Sequence, residues 1–174
     1  GGYAKHGGAI NIHGGSTCTI EGGTVLGNRA SKEGGGIFVY GTLNMTGGAI
    51  IDNHGDDCGG IYVHEDGAIT LENVMLTKNG ANDHGGGAIN NKGDATLKNC
   101  LIRFNSADRE GGGLYNGSKQ MTLVNCTVAD NSAPFGGGIC SYGTVSLANT
   151  KVTGNNAGDS GGGAFVHGTL TATG

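Results

Sequence analysis

Apolar and polar residues alternate along this chain in short bursts of period two. The clearest are Thr-Leu-Asn-Met at 42–45, Ala-Ile-Thr-Leu at 68–71, Ala-Thr-Leu at 95–97, Met-Thr-Leu at 121–123 and Val-Ser-Leu at 145–147. Such alternation marks a strand with one buried face. A second burst follows each of these. It places Val74 and Leu76, Cys100 and Ile102, Cys126 and Val128, and Thr150 and Val152 on one face, with Met75, Leu101, Thr127 and Lys151 on the other. A third short strand is predicted just after a glycine run, as in Ile37-Phe38-Val39, Ile61-Tyr62-Val63 and Leu114-Tyr115-Asn116. There, two successive columns are apolar in every unit, and the pattern leaves open which of them points inward.

The bursts belong to a repeat. Gly-Gly followed by an apolar residue returns at Ala9, Ile37, Ile61, Ala88, Leu114, Ile139 and Ala164, at spacings of 28, 24, 27, 26, 25 and 25 residues. A fixed period in the twenties signals stacked similar units rather than one irregular core. Asn28, Asn53, Asn79, Asn105, Asn131 and Asn155 keep a second register, and two residues later stand Ala30, Gly55, Ala81, Ala107, Ala133 and Ala157, a column that admits only small side chains. Three short strands per unit, separated by Gly, Asn and Asp corners, predict a parallel β-helix solenoid of six to seven coils over residues 1–174. Helical repeats are excluded because the 39 glycines would cost about 1 kcal/mol each inside helices. The glycines lack the three-residue period of collagen, and the fixed apolar columns argue against disorder. A β-propeller or sandwich needs antiparallel hairpins and longer repeats.

In such a coil each strand stacks on its copy about 4.8 Å away, so equal side chains form ladders along the axis. The Asn column is expected to be a structural amide ladder. A second, partial structural ladder is expected after the second strand from Asn73, Asn99, Asn125 and Asn149, with Gly22, Gly47 and Gly174 in the matching places. The glycine runs fit corners that need left-handed backbone or close contact. They are not phosphate loops, which require a following helix.

Composition narrows the function. The net charge is −4 and the ten Lys and Arg are scattered, which argues against nucleic acid as a partner. No apolar run is long enough to span a bilayer. The chain opens without Met and stops within a coil, so the expectation is an excerpt or one link of a longer fibre, stacking end to end on itself. The five cysteines stand in apolar columns. Cys100 lies directly above Cys126, although parallel stacked side chains suit disulfide geometry poorly. Asn44-Met45-Thr46, Asn116-Gly117-Ser118 and Asn125-Cys126-Thr127 match glycosylation acceptors.

Gly-Gly-Ala-Ile occurs at 7–10, 47–50 and 86–89, and other units read Gly-Gly-Gly-Ile ahead of an Asn-x-Ala corner. This resembles the right-handed, pectin-lyase-like parallel β-helix repeats of bacterial surface proteins, including polymorphic outer-membrane autotransporter passengers, and implies a right-handed all-β solenoid. The resemblance covers essentially the whole chain. It implies secretion and a surface or adhesive role, and the same scaffold also hosts polysaccharide lyases and hydrolases.

Candidate chemistry concentrates at the corner before the glycines. Asp56, Asp57, Asp83 and Asp108 fall there in neighbouring coils near His84, Arg109 and Glu110, and oxygen ligands in that number can hold Ca²⁺. The column Lys32, Asp57, Asp83, Arg109, Pro134, Asp159 equally fits charge pairing along a solvated edge. Outward Thr19, Asn44, Thr70, Thr96, Thr122, Ser146 and Thr171 form a file of the kind that some β-helices present to ice. His64 and His167 share a column with Tyr40 and Tyr142, too far apart for a zinc-like cluster. The expectation is therefore a non-enzymatic extracellular or cell-surface protein: a stalk, adhesin passenger or filament subunit, with host or surface glycans as partners and no cofactor beyond Ca²⁺. A polysaccharide-degrading enzyme is the alternative and ice binding a minor one.

Overall fold

The computed structural model describes residues 1–174 and contains strands, turns and no helix. Every strand pairs in parallel with its copies in the adjoining coils. The first sheet holds Ile10–Ile12, Ile37–Val39, Ile61–Val63, Ile89–Asn91, Leu114–Asn116, Ile139–Ser141 and Ala164–Val166. The second holds the five-residue strands from Thr17–Glu21 to Thr169–Thr173, and the third the three-residue strands from Thr24–Leu26 to Lys151–Thr153. These are the three strands the alternation predicts. A fourth completes each coil just after the Asn column, at Tyr3–Ala4, Arg29–Ala30, His54–Gly55, Gly80–Ala81, Ser106–Ala107, Ser132–Phe135 and Asn156–Ser160. Most of its strands are only two residues long, too short to show any alternation.

The register settles the inward column and shifts two anchors. Ile10 pairs with Ile37, and Ile61 with Ile89, so the coils are in phase at Ile10 and Ile89 rather than at Ala9 and Ala88. Gly-Gly-Ala stands where four other units have three glycines and one has Cys58-Gly59-Gly60, and Ala88 is fully buried in the third of those places. Ile37, Ile61, Ile89, Leu114 and Ile139 point inward at 0 % exposure. They meet Leu43, Leu71, Leu97, Met121 and Leu123 of the second sheet and Ile50, Leu76, Ile102 and Val128 of the third in one continuous core. Burying each such side chain contributes about 1.5–3 kcal/mol. The other inward column of the first sheet begins as Ile12, Val39 and Val63 but becomes Asn91, Asn116 and Ser141, all fully buried. Asn91 donates to Asn116 Oδ1 at 2.8 Å and Asn116 to Ser141 Oγ at 3.4 Å. Asn116 is therefore no glycosylation acceptor in the folded chain.

The main Asn column is a ladder. From Asn53 onward each Oδ1 accepts both the backbone N–H and the side-chain amide of the Asn in the preceding coil, for example from Asn79 to Asn105 at 2.9 and 3.0 Å. The side-chain amide also donates to backbone carbonyls inside the corner, as from Asn105 to Leu76 and Arg103. Behind it, Ala81, Ala107 and Ala133 form a small buried cluster of their own, which explains the small-residue column. The second Asn column behaves differently. Asn73, Asn99, Asn125 and Asn149 are exposed and take φ of +57°, +53°, +54° and +48°, matching Gly22 and Gly47 at +77° and +69°. Asn is selected there for left-handed backbone, and no amide ladder forms.

All five cysteines are free thiols, Cys58, Cys100, Cys126 and Cys140 buried and Cys18 half-buried. Burial pushes the Cys140 thiol up to about 12 and raises that of Cys58 as well. Because Cys58, Cys100, Cys126 and Cys140 are enclosed in the folded chain and a cysteine must be accessible to react, a thiol reagent at pH 8 is expected to label Cys18 alone in the folded protein and all five positions after unfolding. Rapid labelling of Cys100 or Cys126 would show instead that the coils part readily.

Candidate functional site

The outer side of the first sheet carries three files of side chains. The central one, from the middle residue of each strand, runs Asn11, Phe38, Tyr62, Asn90, Tyr115, Cys140, Phe165. One flank, just past the strands, includes Tyr40, His64, Lys92, Tyr142 and His167. The other flank, four residues before each inward anchor, reads His6, Glu33, Asp57, Gly85, Glu110, Phe135, Ser160. In-register stacking therefore assembles one surface from residues about 25 positions apart.

Its two ends are aromatic. Toward the N-terminal coils Phe38 stacks on Tyr62, with centroids 5.5 Å apart and planes 8° apart, while Tyr40 meets His64 edge-on at 4.5 Å. Toward the C-terminal coils Tyr142 stacks on His167 at 5.0 Å, and Phe165 touches both His167 and Phe135 at 4.8 and 5.4 Å. Tyr142 also donates to Glu110 at 2.9 Å. Partial burial, and then the Glu110 carboxylate, push its hydroxyl up to about 12.

Between the aromatic ends lies a polar hollow of about 120 Å³, lined by Asp57, His84, Asn90, Lys92, Glu110 and Tyr115. Gly85, which stands between Asp57 and Glu110 in the flanking file, makes room for it, since a methyl there would run into the Tyr115 ring. Asn90 is 1 % exposed. Its amide donates to the Asp57 carbonyl at 3.0 Å, but its Oδ1 has no partner in the protein. Lys92 reaches over the Tyr62 ring at 5.3 Å. Burial works against its charge, but Tyr62 and Asp57 more than offset this and its pKa is raised. The hollow thus combines hydrogen-bond acceptors, one cation and an aromatic wall.

The chain's likeness to known proteins supports the architecture described above. The family model described as a right-handed β-helix region matches residues 3–170. The chain belongs to the right-handed β-helix family. Neither the curated proteins nor the solved structures give a match.

This β-helix separates the acidic residues that the sequence groups together. Asp57 and Asp83 converge on His84 Nδ1 at 3.2 and 3.3 Å. Asp56 lies instead 3.9 Å from Lys32, and Asp108 lines a separate shallow trough beside Ser106, Ser132 and Asn156. Arg109 approaches Asp83 at 4.0 Å, so the charge pairing expected along this edge is present. The Thr file holds its register from Thr19 to Thr171 on the second sheet of the β-helix. Asp94, Glu72 and Lys98 share its outward face, so the face is mixed rather than a uniform hydroxyl array. The aromatic files went unread in the sequence although Phe38, Tyr62, Tyr115 and Phe165 recur in one column, because two successive columns are apolar after each glycine run and the pattern left open which of them faces outward.

Proposed function

We propose that this β-helix is a non-enzymatic extracellular scaffold whose first sheet presents a polysaccharide-binding track, in the manner of a surface stalk or adhesin passenger. One observation carries the reading: two aromatic clusters lie on either side of a polar hollow along a single face. Rings offer flat apolar surfaces to pyranose faces, while placed acceptors and donors take the hydroxyls, the mixture common to ligand sites. Seven rungs at about 4.8 Å give the track a length of about 29 Å. The negative net charge favours neutral glycans over polyanions. Phe38→Ala and Tyr142→Ala are each expected to weaken retention on an immobilised neutral polysaccharide about tenfold. Affinity electrophoresis across a glycan panel tests this, and retention unchanged in both variants would remove the track.

A second reading, a polysaccharide-cleaving enzyme, is favoured by Asp57 and Glu110, which line the same hollow from coils two rungs apart, about 9.6 Å along the axis. That spacing is close to the separation of about 6.5–9.5 Å used by inverting hydrolases. Release of reducing ends from the bound glycan, abolished in Glu110→Gln with binding retained, would establish it over the scaffold reading.

A further inference from the structure

Two carboxylates aim at one imidazole nitrogen. His84 Nδ1 lies 3.2 Å from Asp57 Oδ1 and 3.3 Å from Asp83 Oδ2, and the three ligand atoms all fall within 4.8 Å of one another. A ring nitrogen carries at most one proton, which cannot be directed well at both oxygens. A cation between the three groups satisfies them together. Arg109 approaches the other oxygen of Asp83, Oδ1, at 4.0 Å, and Asn90 fixes the Asp57 backbone through its amide.

We propose that Asp57, Asp83 and His84 form a binding site for a first-row divalent transition metal, at the rim of the polar hollow. Metal–ligand bonds of about 2.0–2.2 Å, at angles between octahedral and tetrahedral, place neighbouring ligand atoms about 2.9–3.5 Å apart, and both observed separations lie in that range. Calcium, with bonds of about 2.3–2.6 Å and six to eight oxygen ligands, is a poorer match for three groups of which one is imidazole. Asn90 is the independent sign of a ligand. It lines the hollow beside Asp57 and His84, is 1 % exposed and has an unpaired Oδ1. A metal-bound water reaching into the hollow would give that oxygen the donor it lacks, as outer partners of this kind do. Asp57 is the least exposed of the three ligands, with 25 % of its side chain accessible against 58 % for Asp83 and 60 % for His84, so the ion would be held on the protein surface and reached directly from solvent.

The site stands independently of the glycan reading, and its probe is the metal alone. Chelator-treated full chain is titrated with Co²⁺ and Zn²⁺ by calorimetry, and the cobalt form is followed by its visible absorption. One equivalent is expected to bind, with affinity falling about 10- to 100-fold in His84→Ala and in Asp57→Asn. Asp56→Asn, Asp108→Asn and His64→Ala are expected to bind like the parent, which separates this cluster from the other acidic corners and from His64, Glu65 and Asp66. All five substitutions alter exposed or half-exposed side chains, and unchanged circular dichroism confirms that the fold is kept. Three results would each overturn the assignment: no saturable binding, binding indifferent to His84→Ala, or thiolate charge-transfer bands placing cobalt on a cysteine. Calcium binding in preference to zinc would overturn it as well.

Discussion

Asn105→Ala is expected to lower the free energy of unfolding by about 3–5 kcal/mol, because five groups lose a bond at once; Asn79 Nδ2 and Asn131 Oδ1 each keep another partner, and a buried polar group left unpaired costs about 1–3 kcal/mol. Asn105 is 1 % exposed. Its Oδ1 accepts from the Asn79 backbone and side chain at 2.9 and 3.0 Å, and its amide donates to the Leu76 carbonyl, the Arg103 carbonyl and Asn131 Oδ1 at 3.0, 3.1 and 2.9 Å. Asn105→Asp keeps the shape but turns the amide end into an acceptor facing three others. Burial and those acceptors raise the carboxyl pKa in the folded state. The folded variant then binds more protons than its unfolded chain, so its stability falls as pH rises above about 4. The control is Asn125→Ala, where an exposed residue with φ +54° loses only its backbone preference, about 1 kcal/mol. Urea denaturation at several pH values reads all three. An Asn105→Ala loss below about 1 kcal/mol, with unchanged m-value, would mean that the ladder is wet and contributes little.

The second large effect concerns glycine. Gly112→Ala is expected to cost at least about 3 kcal/mol, because its new methyl would run into the Ser132 and Gly137 carbonyls of the adjoining coil and overpacking of this kind is relieved only by moving backbone. Here the contact is between rungs, so relief means opening a ladder that every neighbouring coil shares. Gly15→Ala is the comparison. It has φ +75° and nothing within 4 Å of a new methyl, so only the left-handed backbone is penalised, at about 1 kcal/mol. Thermal unfolding distinguishes the two. Equal losses would show that glycine is chosen in these runs for conformation alone and that the coils are not in tight contact.

Much of this architecture was open to reading in one dimension because a solenoid converts sequence period directly into spatial neighbourhood. The Asn28 to Asn155 column, the small residues two positions later and the second-strand alternation all lie where the stacked coils need them. The site was less legible. Asp56, Asp57, Asp83 and Asp108 look alike as a string of corner acids, yet backbone turns of a few residues send Asp57 and Asp83 to His84 while Asp56 faces Lys32. The direction of a corner side chain depends on local φ and ψ, which composition does not report.

The same distinction separates what the sequence alone determined from what required the folded chain. Period, coil number, strand alternation and the amide ladder follow from residue type and spacing, because each is enforced by local propensity repeated every rung. The fourth strand, the phase of Ile10 and Ile89, the buried Asn91–Asn116–Ser141 run and the hollow beside Gly85 were decided only by the tertiary structure. Each depends on which atoms from separate coils meet at about 4.8 Å, and a one-residue change of phase exchanges the inward and outward faces of a strand.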